Sequence, residues 1–321
     1  MSGQKLVVVG LGHVGSYVLA DAIKSGLFAE IGTIDVEKDV AAGEALDQAH
    51  ATGLPYMNNV RLTTGDYDQC KDADIIIVAA AVSSLPRSEK EKMPDRTLLT
   101  EAGAQTTRQI MNEISKVTQD AVIIFISNSA DTLVHIAQTE FDYPVNKVFG
   151  TGTMLDSSRL RYIIGKHYNI DPKSVQGYMM GEHGGTAFPV LSRVTVGGVW
   201  FDELPNYFNA DTDLFDPEEI REKIVASAYD VFNLKGWTNA GVAQASISMA
   251  RAILLNEHSI FPAAVLVEGE YGYTDVTFSM PVVLGREGVI RKVPVTLNEW
   301  ELEKLEESMK FIKKTIASTK K

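Results

Sequence analysis

His183 stands in the run Gly181-Glu182-His183-Gly184-Gly185, a flexible segment behind an apolar stretch. Histidine is the side chain whose ordinary pKa lets it exchange a proton near neutrality, so it is the first candidate for acid–base work. Asp156 and Arg159 lie three residues apart at the start of a helical pattern, hence on one face of that helix. Asp95-Arg96 follows one apolar strand in a polar stretch, and Ser127-Asn128 ends another. Each of these has a plainer structural alternative: a surface histidine, a helix-surface ion pair, a turn-forming asparagine. It is their joint occurrence that points to a site for proton transfer and anion binding.

A phosphate cradle lies upstream. Gly10-Leu11-Gly12-His13-Val14-Gly15 directly follows an apolar strand and opens a helical pattern. Gly10 permits the tight turn, Gly12 lets a pyrophosphate approach the backbone, and Gly15 lets the helix pack closely on the strand. The free N–H groups of the helix start then face the phosphates. Asp35 ends the second strand, twenty residues after Gly15. A carboxylate there accepts hydrogen bonds from an adenosine ribose and repels a 2′-phosphate, which favours NAD over NADP. Without a dinucleotide, Asp35 reads as a strand-end turn residue. His13, inside the loop, reads as a variable, solvent-facing position.

The elements that must carry these residues alternate. Leu6–Val9, Glu30–Ile34, Asp74–Ala80, Ala121–Ile126 and Lys147–Gly150 are short apolar runs rich in β-branched residues. Their continuous hydrophobicity predicts strands covered on both faces, as in a parallel sheet. Val14–Lys24, Glu91–Val117 and Asp131–Phe141 have helical spacing between them. The alternation predicts an α/β fold with a Rossmann-type doubly wound sheet over residues 1–150, whose ligands sit at the strand ends.

After Gly150 the texture changes, and residues 151–321 read as an α+β substrate domain. Helices are expected over Ser157–Tyr168, Asp216–Asn233, Val242–Leu255 and Glu299–Ile316. The last carries Leu302, Leu305, Met309, Ile312 and Ile316 as its apolar stripe. Val175–Gly177, Ser192–Val199, Pro262–Glu268 and Thr277–Leu284 read as sheet.

Composition narrows the partners. The chain has 321 residues, 45% hydrophobic, with 30 Lys+Arg against 42 Asp+Glu, a formal charge of −12. No basic run offers a nucleic-acid face. A local arginine can still hold a small anion against a diffuse acidic surface. Cys70 is the one cysteine, which rules out an intrachain disulfide and a cysteine-rich metal site. No apolar run is long enough for a membrane span or a signal segment, so the expectation is a soluble, cytoplasmic protein with no metal.

The motifs together resemble those of the lactate/malate dehydrogenase family. The carrying residues are Gly150-Thr151-Gly152-Thr153-Met154-Leu155-Asp156-Ser157-Ser158-Arg159, then Gly181–Gly185, then Lys235-Gly236-Trp237-Thr238, then Leu284-Gly285-Arg286-Glu287-Gly288-Val289. The resemblance runs in order from Leu6 to about Ile316. The long loop before Arg96 and the segment around Gly177–Gly185 look most like the L-2-hydroxyisocaproate and L-lactate branch.

It implies a reaction and roles. An NAD-dependent enzyme would interconvert an L-2-hydroxy acid and its 2-oxo acid. Oxidation of the alcohol releases a hydride and a proton; the nicotinamide takes the hydride, and His183 would take the proton. Asp156 would hold the imidazole in one tautomer and favour its protonated form. Arg159 would grip the substrate carboxylate with its planar fork. Arg96 would close over the site and polarise the carbonyl. Asn128 would bond the substrate oxygen or the nicotinamide edge, and Thr238 would line the side-chain pocket. Relatives being dimers or tetramers, a homo-oligomer is expected, with Glu37–Thr52 and Asp216–Asn233 as candidate contact helices.

The chain also departs from the family pattern. Ser129 follows Asn128 where most relatives have proline, and Gly185 replaces an acidic residue common in lactate dehydrogenases. The stretch from Ala80 to Arg96 is long, leaving Arg87, Lys90 and Lys92 as rival selectors of substrate or as ordinary solvated charges. Malate is the alternative substrate on those charges. A longer loop leaves room for a branched 2-oxo acid alongside pyruvate. Arg161 matches one ligand of the fructose 1,6-bisphosphate site of some relatives, but Gln176 stands where its histidine would be, so strong activation by that effector is not expected. A glycosidase using NAD would need a Cys–His metal site, which Cys70 does not suit, and a non-catalytic NAD-binding protein would have no use for the His, Asp and Arg together.

Overall fold

The structure, a computed structural model, describes residues 4–80, 96–209 and 216–319. Asp95, Arg87, Lys90, Lys92 and the side chain of Arg96 lie outside the described residues.

In chain order the strands are β1 (Lys5–Val9), β2 (Glu30–Ile34), β3 (Arg61–Thr64), β4 (Ile75–Val78), β5 (Val122–Phe125), β6 (Val148–Gly150), β7 (Val175–Gln176), β8 (Met179–Met180), β9 (Phe188–Pro189), β10 (Thr195–Val196), β11 (Val199–Trp200), β12 (Ser259–Glu268), β13 (Thr274–Gly285) and β14 (Gly288–Lys292). The helices are α1 (Gly15–Ser25), α2 (Lys38–Ala51), α3 (Arg96–Val117), α4 (Ala130–Thr139), α5 (Met154–His167), α6 (Pro217–Lys235), α7 (Ala240–Leu254) and α8 (Glu299–Thr319).

The parallel sheet follows from the apolar runs. The order β3-β2-β1-β4-β5-β6 is doubly wound, and the chain reverses direction of build between β1 and β4. Alternate residues supply opposite faces. Leu6, Val8, Ile75, Ile77 and Ile124 join one buried cluster, which also takes Val18 of α1 and Met249 of α7. Val7, Val9, Ile76, Val78, Ile123 and Phe125 join the other, with Met111 of α3 and Val134 of α4. Each fully buried aliphatic side chain contributes roughly 1.5–3 kcal/mol, which is why uninterrupted runs such as Ile75-Ile76-Ile77-Val78 have no solvent-facing register.

The second half of the chain does not build a detached sheet for its long strands. β12 pairs antiparallel with β6 through Ala264 and Gly150, so β12, β13 and β14 extend the first sheet to nine strands. The three-stranded sheet β11-β10-β7 and the pair β8-β9 are separate ladders, the pair linked to β13 where Gly181 and Ser279 exchange backbone hydrogen bonds at 3.0 and 2.9 Å. Two expected elements differ from the sequence reading. The helix read from Ser157 begins at Met154, because the Ser157 hydroxyl does not cap a helix start. It is fully buried, donates to the Thr153 carbonyl and accepts the Met179 N–H at 2.8 Å. The strand read over Ser192–Val199 is interrupted at its start, since the buried Glu301 carboxylate captures both the N–H and the hydroxyl of Ser192, at 2.9 and 2.8 Å. The apolar stripe of α8 holds at Leu305, Met309, Ile312 and Ile316, whereas Leu302 is exposed. β3 and β14 escape the hydrophobic pattern: Arg61-Leu62-Thr63-Thr64 is a polar edge strand, and Gly288-Val289-Ile290-Arg291-Lys292 alternates weakly.

Candidate active site

The glycine loop closes between β1 and α1 as its residue types demand. Gly10 has a φ of +93°, and a Cβ there would fall 2.5 Å from the backbone nitrogen of Ala80. A Cβ on Gly15 would lie 1.7 Å from the Gly10 carbonyl oxygen. Gly12 is the opposite case: a Cβ there would meet nothing within 4 Å, so its side of the loop is open. Two glycines are needed for packing and the third keeps an approach clear, which is what a pyrophosphate requires. Asp35 is tied to this loop. Its Oδ2 accepts the Leu11 N–H at 2.6 Å and its Oδ1 accepts the Glu37 N–H at 2.9 Å, fixing the carboxylate beside the cradle where a ribose diol would meet it. These residues fit a dinucleotide with an unphosphorylated ribose.

Asn128 sits at the end of β5, across the sheet's reversal from the cradle. Ser127 ties this end to its neighbour by donating its hydroxyl to the Ala80 carbonyl at 2.6 Å. Asn128 itself is exposed, and Ser129 has φ 59° and ψ 42°. Proline, locked near −65°, cannot adopt that conformation, so the turn differs in kind from one built on Asn-Pro. The Ser129 hydroxyl lies 2.8 Å from that of Thr100 on α3 and pins the turn in proline's place.

Three of the candidate residues converge at the first turn of α5. Asp156 is buried, and its two oxygens are divided between two partners. Oδ1 accepts from Nη1 of Arg159 at 2.7 Å, and Oδ2 lies 2.7 Å from Nδ1 of His183. The Asp–Arg pair is therefore no surface ion pair; the two side chains are 10% and 14% exposed. His183 is half-buried on the segment after β8. Burial is the largest single influence on its imidazole and disfavours charge, but the attraction and hydrogen bond of Asp156, with the charge of Asp131 behind it, raise its pKa above the ordinary value. Burial likewise pushes Asp156 upward, and His183 and Arg159 outweigh it to hold the carboxyl below its ordinary range.

Asp131 was not singled out by the sequence and belongs to this site. It lies in the first turn of α4, 3% exposed, and its Oδ2 accepts the backbone N–H of His183 at 2.7 Å. Its other oxygen is buried with no hydrogen-bond partner among the described residues. Desolvation pushes its pKa up to about 7, against the pull of the His183 N–H. Asp-Thr-Leu after a strand end carries no motif; only the fold brings it under His183. The segment carrying His183 has a further brace in Arg221 of α6, which donates from Nη1 to the Gly185 carbonyl at 2.8 Å.

Thr238 lies half-buried on the short corner between α6 and α7. His13, read as a variable, solvent-facing position, is exposed, and its ring also stacks on Trp237, centroids 4.0 Å apart and planes within 6°. Arg161 is partly buried, with Nε donating to the Gly177 carbonyl at 3.0 Å.

Comparison with known proteins agrees with this geometry over the whole chain. Residues 4–150 match the lactate/malate dehydrogenase NAD-binding domain, and residues 153–321 match the α/β C-terminal domain of the same family. L-lactate dehydrogenase 2 of Clostridium acetobutylicum is 42% identical over 312 residues, covering 97% of this chain and 96% of that protein. The L-lactate dehydrogenase of Selenomonas ruminantium is 39% identical over 313 residues, covering 98% and 97%. The crystal structure of the minor L-lactate dehydrogenase of Enterococcus mundtii in its ligand-bound form superposes with a TM-score of 0.91 at 30% identity, over 100% of this chain and 99% of that one. With a glycine cradle and aspartate suited to NAD and a His–Asp–Arg cluster at the strand ends, this chain belongs to the lactate/malate dehydrogenase family.

Proposed function

We propose that this NAD-dependent 2-hydroxy-acid dehydrogenase interconverts L-lactate and pyruvate, with branched 2-oxo acids as the next substrates in rank. The observation that carries the reading is the single carboxylate of Asp156 joined to both His183 and Arg159. NAD, when bound, supplies the hydride acceptor in one direction and the donor in the other. The side chains supply the rest.

His183 has Nδ1 occupied by Asp156, which leaves Nε2 for the substrate oxygen. In oxidation it takes the hydroxyl proton; in reduction it returns one to the carbonyl oxygen as that oxygen gains charge. Asp156 stabilises the imidazolium during each exchange. Arg159 spends one of its five N–H donors on Asp156 and keeps the others for the substrate carboxylate, so the proton-transfer group and the anchor are set against one another by the same residue. Asn128 at the strand end bonds the substrate oxygen or the nicotinamide edge, and Thr238 lines the side-chain pocket. Arg96, at the start of α3, polarises the carbonyl. Gly10, Gly12, Gly15 and Asp35 hold the dinucleotide, and the division of labour falls near residue 150.

The L-lactate dehydrogenase names of the relatives favour pyruvate over oxaloacetate. A panel of pyruvate, oxaloacetate, 2-oxoisocaproate and phenylpyruvate, ranked by kcat/KM with NADH, tests this. Pyruvate first is the expected result; oxaloacetate first would make malate the substrate, and NADH binding without turnover of any would leave a non-catalytic protein. We also read the protein as a cytoplasmic homo-oligomer, dimer or tetramer. No helix among the described residues is long and apolar enough to cross a membrane. Light scattering after size exclusion distinguishes the assemblies. Strong activation by fructose 1,6-bisphosphate is not expected, since Arg161 is engaged by Gly177 and Gln176 carries no charge.

A further inference from the structure

One aromatic contact joins the dinucleotide cradle to the substrate segment. His13 belongs to the cradle, where the Gly12 carbonyl accepts both the N–H of Ser16 at 3.0 Å and its hydroxyl at 2.8 Å, fixing the turn on which the imidazole stands. Trp237 belongs to the corner between α6 and α7. That corner is braced internally: Gly236, with φ 87°, closes α6 by donating its N–H to the Phe232 carbonyl at 2.7 Å. Asn239 Oδ1 accepts the Ala240 N–H at 2.9 Å and the Lys235 ammonium at 2.8 Å. The ammonium in turn lies 5.9 Å from the indole centroid. The two helices behind the contact are also bound together, with Gln244 of α7 donating to the buried Asp21 of α1 at 2.6 Å. On this frame the His13 and Trp237 rings meet face to face, and the residue after Trp237 is Thr238.

We propose that His13 and Trp237 form a latch that sets Thr238 relative to the dinucleotide cradle, making both of them positioning residues for 2-oxo-acid binding. The proposal rests on the reading above, in which the glycine loop holds the dinucleotide and Thr238 lines the substrate pocket. Phosphates arriving at the open side of Gly12 come next to the His13 residue, so the bound dinucleotide confines one half of the latch and, through the stack, the corner that carries Thr238. A stacked pair of rings is worth a few-fold in an equilibrium, the scale on which a KM would move.

The test is a double-mutant cycle of H13A, W237A and the pair, with W237F as the conservative control, in the full-length protein. The readouts are kcat and KM for pyruvate, the Kd for NADH, and tryptophan emission taken as the difference between the parent and W237F. Each alanine variant is expected to raise KM about three- to tenfold, with kcat and the NADH Kd moving less. The double variant is expected to be no worse than the weaker single variant, W237F to recover most of the loss, and H13A to brighten Trp237 by removing the facing imidazole. Additive effects, an unchanged KM or an unchanged emission in an active enzyme would overturn the latch and leave the functional reading standing. Failure of the parent protein to bind NADH or to turn over any 2-oxo acid would instead overturn that reading.

Discussion

Oδ2 of Asp156 lies 2.7 Å from Nδ1 of His183, at the first turn of a helix that also carries Arg159. In the proposed reaction it couples proton transfer to substrate anchoring, because the other oxygen of the carboxylate holds the guanidinium. Replacing Asp156 with Asn keeps the size and removes the charge. The imidazolium then loses its charged partner in a half-buried setting, and the one remaining acceptor oxygen cannot serve His183 and Arg159 together. We expect kcat for pyruvate reduction to fall by roughly two orders of magnitude and KM to rise with it, while NADH binding persists. Steady-state kinetics and an NADH titration check both; activity within about fivefold of the parent would contradict the assignment.

The pH dependence follows from the same contact. In the proposed reaction, reduction needs His183 protonated, and its pKa lies above the ordinary histidine value because Asp156 and Asp131 outweigh burial. kcat/KM for pyruvate reduction is therefore expected to hold through neutrality and to fall only as pH climbs through that raised value; lactate oxidation rises over the same range. Stability carries the same sign. A histidine with a raised folded pKa stabilises fully below its unfolded value and loses that contribution as pH rises through the folded one. Asp131, pushed up to about 7, also favours its protonated form in the folded state, so its ionisation costs stability progressively between the ordinary aspartate range and pH 7. Thermal unfolding from pH 5 to 9 should show Tm declining with pH, and Asp131→Asn should flatten the acidic part of that decline. A parent Tm that rises across this interval would contradict the signs given.

Much of this site was legible in the sequence because its residues sit beside rigid punctuation. Gly10, Gly12 and Gly15 announce a turn that no other residue fits, and Asp35 is placed by the end of a strand whose length is set by burial. The i,i+3 spacing put Asp156 and Arg159 on one face. What it could not give was their environment: the same spacing serves an exposed ion pair, and only the packing of the β8–β9 segment over α5 makes it a buried one. The contact of Asp131 with His183 and the stacking of Trp237 on His13 were invisible for a related reason. Neither residue lies in a pattern with its partner; His183 is 52 residues from Asp131, and the contact exists only once the sheet brings the end of β5 beneath the segment after β8. β12 joining β6 was hidden too, since an antiparallel hairpin reads the same whether it starts a new sheet or extends an old one.

Arg159 offers a planar set of donors, and lysine does not. In Arg159→Lys the charge remains but the fork is lost, and the shorter reach no longer satisfies Asp156 and a substrate carboxylate together. Loss of charge-assisted hydrogen bonds of this kind costs about 1.5–3 kcal/mol, so kcat/KM for pyruvate is expected to fall by roughly 10- to 200-fold, carried mostly by KM. NADH affinity should be unchanged, because Arg159 is on α5 and the cradle is the loop between β1 and α1. A weakened NADH affinity with normal pyruvate KM would place Arg159 elsewhere in the mechanism.

Ser129 offers the sharpest test of the turn that follows β5. The family resemblance suggests proline after Asn128 and a stiffer turn there. The backbone at Ser129 is left-handed, however, at φ 59°, and its hydroxyl is 2.8 Å from that of Thr100. Proline would force φ negative, move the end of β5 and remove the link to α3 in one step. Ser129→Pro is expected to destabilise by about 1–3 kcal/mol and to raise the pyruvate KM by displacing Asn128. Ser129→Gly relieves the strain and gives up only the hydroxyl, so its Tm should stay close to the parent's. Differential scanning calorimetry with steady-state kinetics separates the two variants. A proline variant as stable and as active as the parent would show that the left-handed turn has no part in holding Asn128.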